Sequence, residues 1–139
     1  MSAPYLLDTD ACIYLINRRA GHERLLRHFE KLEYGDVLIS SITAAELEYG
    51  IAKSKLGTEN RNRFDLFIAR FEIAPFDDRA AAAYGPLRAM LEAGGTPIGP
   101  LDTLIAAHAL WLNATLVTNN VREFSRVAKL RIENWFEPA

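Results

Sequence analysis

The stretch "PYLLDTDAC", residues 4–12, joins a short apolar run directly to two acids. Tyr5, Leu6 and Leu7 predict a buried strand, and the apolar residues from Cys12 to Ile16 recur at helical spacing. A strand that passes straight into a helix is the building unit of an α/β fold. Asp8 and Asp10 lie at this junction, where a buried strand does not by itself call for carboxylates.

The whole chain has the size and composition of one ordinary domain. It contains 139 residues, 50% of them hydrophobic, so we expect a single domain over residues 1–139 with a substantial core. A formal charge of −2 argues against a protein that coats nucleic acid by bulk positive charge, so any nucleic-acid site must be local. The basic residues are 12 Arg and 4 Lys, which favours contacts with anions unless they only form solvated surfaces and ion pairs.

The single cysteine and the absence of a long apolar run indicate where the protein resides. Cys12 has no partner for a disulfide within the chain, which favours a reducing, cytoplasmic setting. No apolar run approaches the roughly 20 residues needed to span a bilayer, and we expect neither export nor a membrane partner.

Short apolar runs alternate with helical patterns along the rest of the chain. The predicted strands are 5–7, 36–40, 72–76, 114–118 and 131–135. The predicted helices are 10–19, 22–33, one that begins at Thr43, 64–71, one between Asp77 and Gly94, and 101–112. This alternation predicts an α/β fold, a three-layer α/β/α sandwich with a mostly parallel central sheet.

Two helix starts carry capping residues. Thr43 with Glu46 three residues later fits a capping box, and Gly50 or Gly57 would mark the end of that helix. Asp77 can cap the long Ala-rich helix that follows it.

Polar residues follow the ends of three predicted strands. Asp8, Glu46 and Asn120 come after the first, second and fourth strands, and Asp102 begins a helix after a Gly-Pro loop. Because the carboxyl ends of parallel strands meet at one edge of a sheet, these side chains should converge. Each acid alone could simply cap a helix, since carboxylates accept backbone N–H bonds there.

Convergence of several carboxylates would need a compensating charge. Two carboxylates about 4 Å apart repel by roughly 4 kcal/mol at an effective dielectric near 20. Oxygen ligands without a Cys or His cluster select a hard cation, Mg²⁺ or Mn²⁺. Such an ion lowers the pKa of bound water and stabilises charge on a phosphate, which predicts phosphodiester hydrolysis.

Four motifs, in their order and spacing, resemble those of the PIN-domain ribonucleases, in particular the VapC-type toxins of toxin–antitoxin pairs. They are "LLDTD" (6–10), "TAAELEYG" (43–50), "PLDTLIAAHAL" (100–110) and "LVTNNVREF" (116–124). The resemblance covers nearly the whole chain. It implies a PIN-like fold and a Mg²⁺- or Mn²⁺-dependent endoribonuclease that cuts structured RNA, often a tRNA or an rRNA loop. It also implies a homodimer and inhibition by a cognate VapB-type antitoxin.

The resemblance also assigns residues to the catalytic site. It implies that Asp8, Glu46 and Asp102 form the acidic triad that holds the metal, and that Thr118 helps to organise the site. Asn120 stands where many relatives have Asp, and it can ligate through its carbonyl but adds no charge. Glu123 is the alternative source of that charge, so the sequence leaves open whether one metal or two bind.

Two other functions compete with the nuclease. "DTDAC" (8–12) resembles the D-x-D-x-T signature of haloacid-dehalogenase-type phosphatases, but Cys12 replaces its Thr and no later motif follows, so Asp10 suits a cap or an outer metal-shell role better. The second alternative is a non-enzymatic domain that binds nucleic acid or protein, whose acids only cap helices.

Three further features each allow two interpretations. The stripe of Phe64, Phe67, Ile68 and Phe71 either packs on the sheet or forms a surface for a dimer or an antitoxin helix. The arginines at 18, 19, 24 and 27 either contact RNA or an acidic partner, or form a solvated face. His108 lacks a second His or Cys at ligand spacing, which favours packing over metal binding.

Overall fold

Within residues 3–137, the part of the chain that this computed structural model describes, five strands alternate with seven helices. The strands are β1 (Tyr5–Leu7), β2 (Val37–Ser40), β3 (Glu72–Ala74), β4 (Thr115–Val117) and β5 (Ile132–Glu133). The helices are α1 (Thr9–Ile16), α2 (His22–Phe29), α3 (Ser41–Lys53), α4 (Gly57–Ile68), α5 (Asp78–Ala93), α6 (Pro100–Leu112) and α7 (Val121–Phe124). Among the helices of this range, none combines the length and the apolar character needed to cross a bilayer.

The central sheet is entirely parallel, with the strand order β3-β2-β1-β4-β5. Leu7 at the end of β1 pairs with Ile39 of β2 on one side and with Val117 of β4 on the other. The chain moves outward from β1 through β2 and β3, and then returns to the far side of β1 with β4. The strand order therefore reverses between β1 and β4, the place where open α/β sheets bind their ligands.

The three inner strands, β1, β2 and β4, bury alternate side chains on opposite faces of the sheet. On one face, Leu6, Leu38 and Leu116 form a core with side chains of α5, α6 and α7. On the other face lies a second core, which α1, α2, α3 and α4 cover. The predicted three-layer α/β/α sandwich is confirmed, and burial on both faces explains why the inner strands are largely continuous apolar runs.

Helix α3 begins earlier than predicted, so Glu46 lies deeper in the helix than expected. Ser40 caps α3, because its Oγ accepts the N–H of Ile42 at 3.1 Å. The predicted capping box is wrong, since Thr43 lies inside the helix and is fully buried. Glu46 therefore lies in the second turn of α3 instead of the first. Ser40 also pairs with Ala74 in the sheet, so β2 passes into α3 without a loop.

Other helix boundaries differ by a few residues. Helix α1 ends at Ile16, before Arg18, whose φ of 49° is left-handed, and α2 ends at Phe29. Helix α4 starts at Gly57, seven residues before the predicted start, because its first two turns are polar and give no apolar period. Helix α6 starts at Pro100, and the short α7 was not predicted. Asp77 caps α5 as predicted, accepting from Arg79 and Ala80.

A buried hydrogen bond ties the end of β2 to α6. Ser40 Oγ lies 2.8 Å from Nδ1 of His108, and both residues are fully buried. Burial lowers the pKa of His108, so the imidazole is neutral at neutral pH. Because Ser40 Oγ already accepts from Ile42, its own proton is available for Nδ1. His108 thus has the packing role that the sequence favours.

A double-mutant cycle on Ser40 and His108 measures this link. We expect Ser40→Ala and His108→Leu each to lower the free energy of unfolding by about 1–3 kcal/mol, since each leaves a buried polar atom without its partner. The double variant should lose less than the sum, by roughly 0.5–1.5 kcal/mol, because one hydrogen bond can be lost only once. Urea unfolding of the four proteins gives these values, and strictly additive losses would contradict the link.

Candidate active site

Asp8 lies at the carboxyl end of the central strand β1. It is the N-cap of α1, and its Oδ1 accepts the N–H of Ala11 at 2.8 Å. Its own N–H donates to the carbonyl of Val117 at 3.1 Å, which fixes it against the end of β4. Only 4% of the residue is exposed, because helices cover both faces of the central strand. Asp8 is therefore a cap, but a buried one.

Burial determines the protonation of Asp8. The pKa of this carboxyl is raised from 3.8 to about 7, mainly by burial and to a smaller extent by the neighbouring Asp10 and Asp102. Hydrogen bonds from the Thr118 side chain and the Ala11 N–H act in the opposite direction. In the described residues no salt bridge reaches Asp8, so its negative charge has no basic partner.

Asp102 lies in the first turn of α6, close enough to Asp8 to raise the pKa of that residue. The pKa of Asp102 is raised from 3.8 to about 6, first by burial and then by three other carboxylates, Glu123, Glu46 and Asp10. These influences show that acids from four different helices lie close to one another. Asp10 is exposed in the first turn of α1, which Asp8 caps, so the predicted capping role of Asp10 is wrong.

Glu46 reaches the site from α3 and is held by a threonine of α1. The Thr9 hydroxyl donates to Glu46 Oε1 at 2.9 Å, and the Thr9 and Thr43 hydroxyl oxygens are 3.1 Å apart. These contacts join the helix that follows β1 to the helix that follows β2. Glu46 is half-buried, and its carboxylate is close enough to Asp102 to raise the pKa of that residue.

Residues after β4 complete the site. Thr118 is fully buried, and its Oγ1 accepts the N–H of Asn120 at 2.9 Å. The Asn120 amide donates to Glu123 Oε2 at 2.8 Å, and Glu123 Oε1 accepts the N–H of Gly99 at 3.0 Å. These two hydrogen bonds lower the pKa of Glu123, so it stays charged beside Asp102. Glu123 thereby ties α7 to the loop that leads into α6.

The structure brings all of the sequence-predicted site residues to one edge of the sheet. They are Asp8, Glu46, Asp102, Thr118, Asn120 and Glu123. Within residues 3–137, however, no three Asp, Glu, His or Cys side chains are already arranged to hold one ion. The donor atoms are oxygens, and no salt bridge in the described residues reaches the four acids, which suits a hard cation such as Mg²⁺ or Mn²⁺. Ligation by three carboxylates at once requires their side chains to rotate.

Sequence reasoning missed two residues that shape this edge. Thr9 stands inside the first motif, between two acids, but its contact with Glu46 spans 37 residues of sequence and leaves no periodic signal. Gly99 donates its N–H to Glu123, and a Cβ added at Gly99 would lie 3.8 Å from Asp102 Oδ2 and 3.9 Å from Glu123 Oε1. The Gly-Pro sequence before α6 was the only available sign of a close approach there.

Comparisons with known proteins agree with this architecture. The PIN domain matches residues 5–130. Ribonuclease VapC2 of Rickettsia felis is 45% identical over 132 residues, which cover 94% of this chain and 97% of that protein. The tRNA(fMet)-specific endonuclease VapC of Salmonella typhimurium is 41% identical over 131 residues, covering 94% and 97%.

Solved structures give the same result. The crystal structure of VapBC2 from Rickettsia felis, bound to a promoter DNA fragment, aligns with a TM-score of 0.85 and 44% identity over 94% of this chain and 98% of that chain. DNA-bound VapBC from Salmonella typhimurium aligns with a TM-score of 0.89 and 40% identity, covering 96% and 99%. The chain therefore belongs to the PIN domain family, as a VapC-type ribonuclease.

Proposed function

We propose that this chain is a Mg²⁺- or Mn²⁺-dependent endoribonuclease, the toxin of a toxin–antitoxin pair, that hydrolyses a structured RNA. The observation that carries the metal dependence is the group of acids at the β1 and β4 ends, which no salt bridge reaches in the described residues and which has only Arg126 near Glu123 as a positive neighbour. The family match supports the activity, and the name of the Salmonella typhimurium relative favours a tRNA over an rRNA loop as substrate. The same match leaves the phosphatase alternative without support.

Asp8, Glu46 and Asp102 hold the cation in this proposal. When bound, the cation lowers the pKa of water and stabilises negative charge on the phosphate. Thr118 donates a hydrogen bond to Asp8 and favours its charged form. Because water is the nucleophile, the RNA 2′-hydroxyl takes no part, and the products carry a 5′-phosphate and a 3′-hydroxyl.

Glu123, and not Asn120, supplies the fourth charge. Its carboxylate lies within hydrogen-bonding reach of Asp102, and its hydrogen bonds keep its pKa low. The side-chain amide of Asn120 is occupied in holding Glu123 at 2.8 Å. Asn120 therefore orients the acid beside it, and its neutral side chain avoids adding one more charge to a crowded edge.

The antitoxin occupies a groove between α1, α2 and α4. Phe67 and Leu15 lie in the groove, and Leu66 on its rim is 74% exposed. Three arginines line it, at 18, 63 and 70, and the described residues give them no salt bridge. An apolar groove with a basic rim suits an amphipathic acidic helix. The predicted Phe stripe is thus divided, because Phe64 is buried in the core while Phe67 lines this groove.

The cleavage assay tests the proposed activity. Wild-type protein freed of antitoxin should cut total RNA with Mg²⁺ or Mn²⁺ and not with EDTA. Asp8→Asn and Asp102→Asn should each lower the rate by at least about 100-fold, because a cation ligand contributes several kcal/mol to the transition state. Asp36→Asn is the matched control, since Asp36 precedes β2 at the opposite edge of the sheet. A 2′,3′-cyclic phosphate at the cut would refute water as the nucleophile.

The raised pKa of Asp8 predicts a pH-dependent stability. Between pH 4 and pH 7 the native state of the metal-free protein binds more protons than the unfolded state, so stability falls as pH rises through this range. From pH 5 to pH 8 the wild type should lose roughly 2–3 kcal/mol of unfolding free energy through Asp8. Asp8→Asn keeps the cap and should lose correspondingly less. Urea unfolding in EDTA measures both proteins, and equal pH dependence would count against a buried, uncompensated Asp8.

Charge reversal in the groove tests the antitoxin site. We expect Arg18→Glu combined with Arg63→Glu to abolish co-purification with the cognate antitoxin, because it reverses the charge of the rim, while leaving RNA cleavage by the isolated chain unchanged. Arg88→Glu is the control, since Arg88 is paired with Glu92 on α5 in the opposite layer. Unimpaired co-purification of the groove variant would place the antitoxin elsewhere. The predicted homodimer is separate and stays a prediction.

A further inference from the structure

We infer that Thr9 and Thr43 are positioning residues that orient the Glu46 carboxylate for cation binding through a chain of two hydroxyl hydrogen bonds. This inference rests on the proposed function, in which Glu46 is one of three ligands. The sequence indicates no role for Thr9 and only a helix cap for Thr43. The juxtaposition that carries it is Thr9 of α1 between Thr43 and Glu46 of α3.

The three side chains meet because of where their helices begin. Thr9 is the first residue of α1, directly after Asp8, and α3 begins directly after β2. Thr43 and Glu46 are three residues apart on α3, so their side chains lie on the same face, toward α1. Since β1 and β2 are neighbouring parallel strands, both helices start at the same edge of the sheet.

The direction of the hydrogen bonds follows from the number of protons. Thr9 has one hydroxyl proton and donates it to Glu46 Oε1 at 2.9 Å. The bond between the two threonines, 3.1 Å long, must therefore be donated by Thr43 and accepted by Thr9. Two aligned hydroxyl dipoles then end on a carboxylate, and such chains strengthen each bond.

This chain fixes one oxygen of Glu46 and leaves the other available. Oε1 takes the Thr9 proton, whereas Oε2 has no hydrogen bond within the described residues. The carboxylate also lies near Asp102, whose pKa it raises. Because a Glu side chain has three rotatable bonds, a fixed Oε1 limits the positions that Oε2 can take. Thr9 directly follows Asp8 in the sequence, so its hydrogen bond also links Glu46 to Asp8. Two proposed ligands that follow different strands are thereby held together.

Valine is the informative replacement for each threonine. It keeps the β-branched shape and replaces the hydroxyl by a methyl group of similar size, so packing in the helix is nearly unchanged. A purely structural hydroxyl would affect the free energy of unfolding alone. A positioning hydroxyl would change the affinity for the cation, and serine, which keeps the hydroxyl, would restore it.

The experiment is a Mn²⁺ titration of the full chain without antitoxin, by calorimetry and by the electron paramagnetic resonance of free Mn²⁺. Thr9→Val should weaken binding by about 10–100-fold, in the range known for groups that orient a metal ligand. Thr43→Val should weaken it less, and Thr9→Ser should stay within about 3-fold of wild type. Thr115→Val is the control, since Thr115 is a buried threonine at the other end of β4. If Thr9→Val does not fold, Thr9→Ala replaces it.

Glu46→Gln separates a failure of this inference from a failure of the proposed function. If Thr9 acts through Glu46, Thr9→Val should cost nothing further in a Glu46→Gln background. If Asp8→Asn and Glu46→Gln weaken Mn²⁺ binding but Thr9→Val does not, the positioning role is refuted and the metal site stands. If Asp8→Asn and Glu46→Gln also bind Mn²⁺ like wild type, the proposed metal site itself is refuted.

Discussion

The structure depends on one constraint, the placement of a carboxylate at the buried end of the central strand. Asp8 is 4% exposed and has hydrogen bonds but no basic partner in the described residues. A charge in that position is costly, and a protein selected for stability alone would place Asn or Ser at the same cap with little loss. The carboxylate is understandable if a cation compensates it.

Neutral residues around the acids hold them at the edge of the sheet. Thr9 holds Glu46, Gly99 and Asn120 hold Glu123, and the Ser40–His108 hydrogen bond joins the start of α3 to α6. None of these contacts relies on attraction between the acids themselves. The repelling carboxylates are thus kept close by neutral donors and by the sheet, and a bound cation would relieve their repulsion.

Much of the fold could be predicted because it depends on local patterns. Leu6 and Leu7, like Leu38 and Ile39, face two different cores, so the parallel strands appear as continuous apolar runs. The start of α3 could not be predicted, because Ser40 and Thr43 are both good caps, and only the pairing of Ser40 with Ala74 decides between them. The four-residue α7 is too short to show a period.

The candidate site, like the fold, could be predicted only in part. Asp8, Asp102 and Glu46 could be named from the sequence, since each belongs to a motif near a strand end or helix start. The roles of Asn120 and Glu123 could not be separated, because the difference lies in a hydrogen bond from the Asn120 amide and a second one from Gly99. Thr9 was missed because its partner is 37 residues away.

Protons held by the two aspartates in the metal-free protein would compete with the proposed cation. With the pKa of Asp8 at about 7 and that of Asp102 at about 6, a fraction of these carboxyls holds a proton near neutral pH in the metal-free protein. Ligation requires the charged form, so binding a cation must release that proton. Apparent affinity then falls as the pH drops below about 7, because protons compete with the ion for the same oxygens. If the proposed cation binds here, Glu123, whose pKa is lowered, already offers charged oxygens, and Asp8 and Asp102 would complete the site only as they lose their protons.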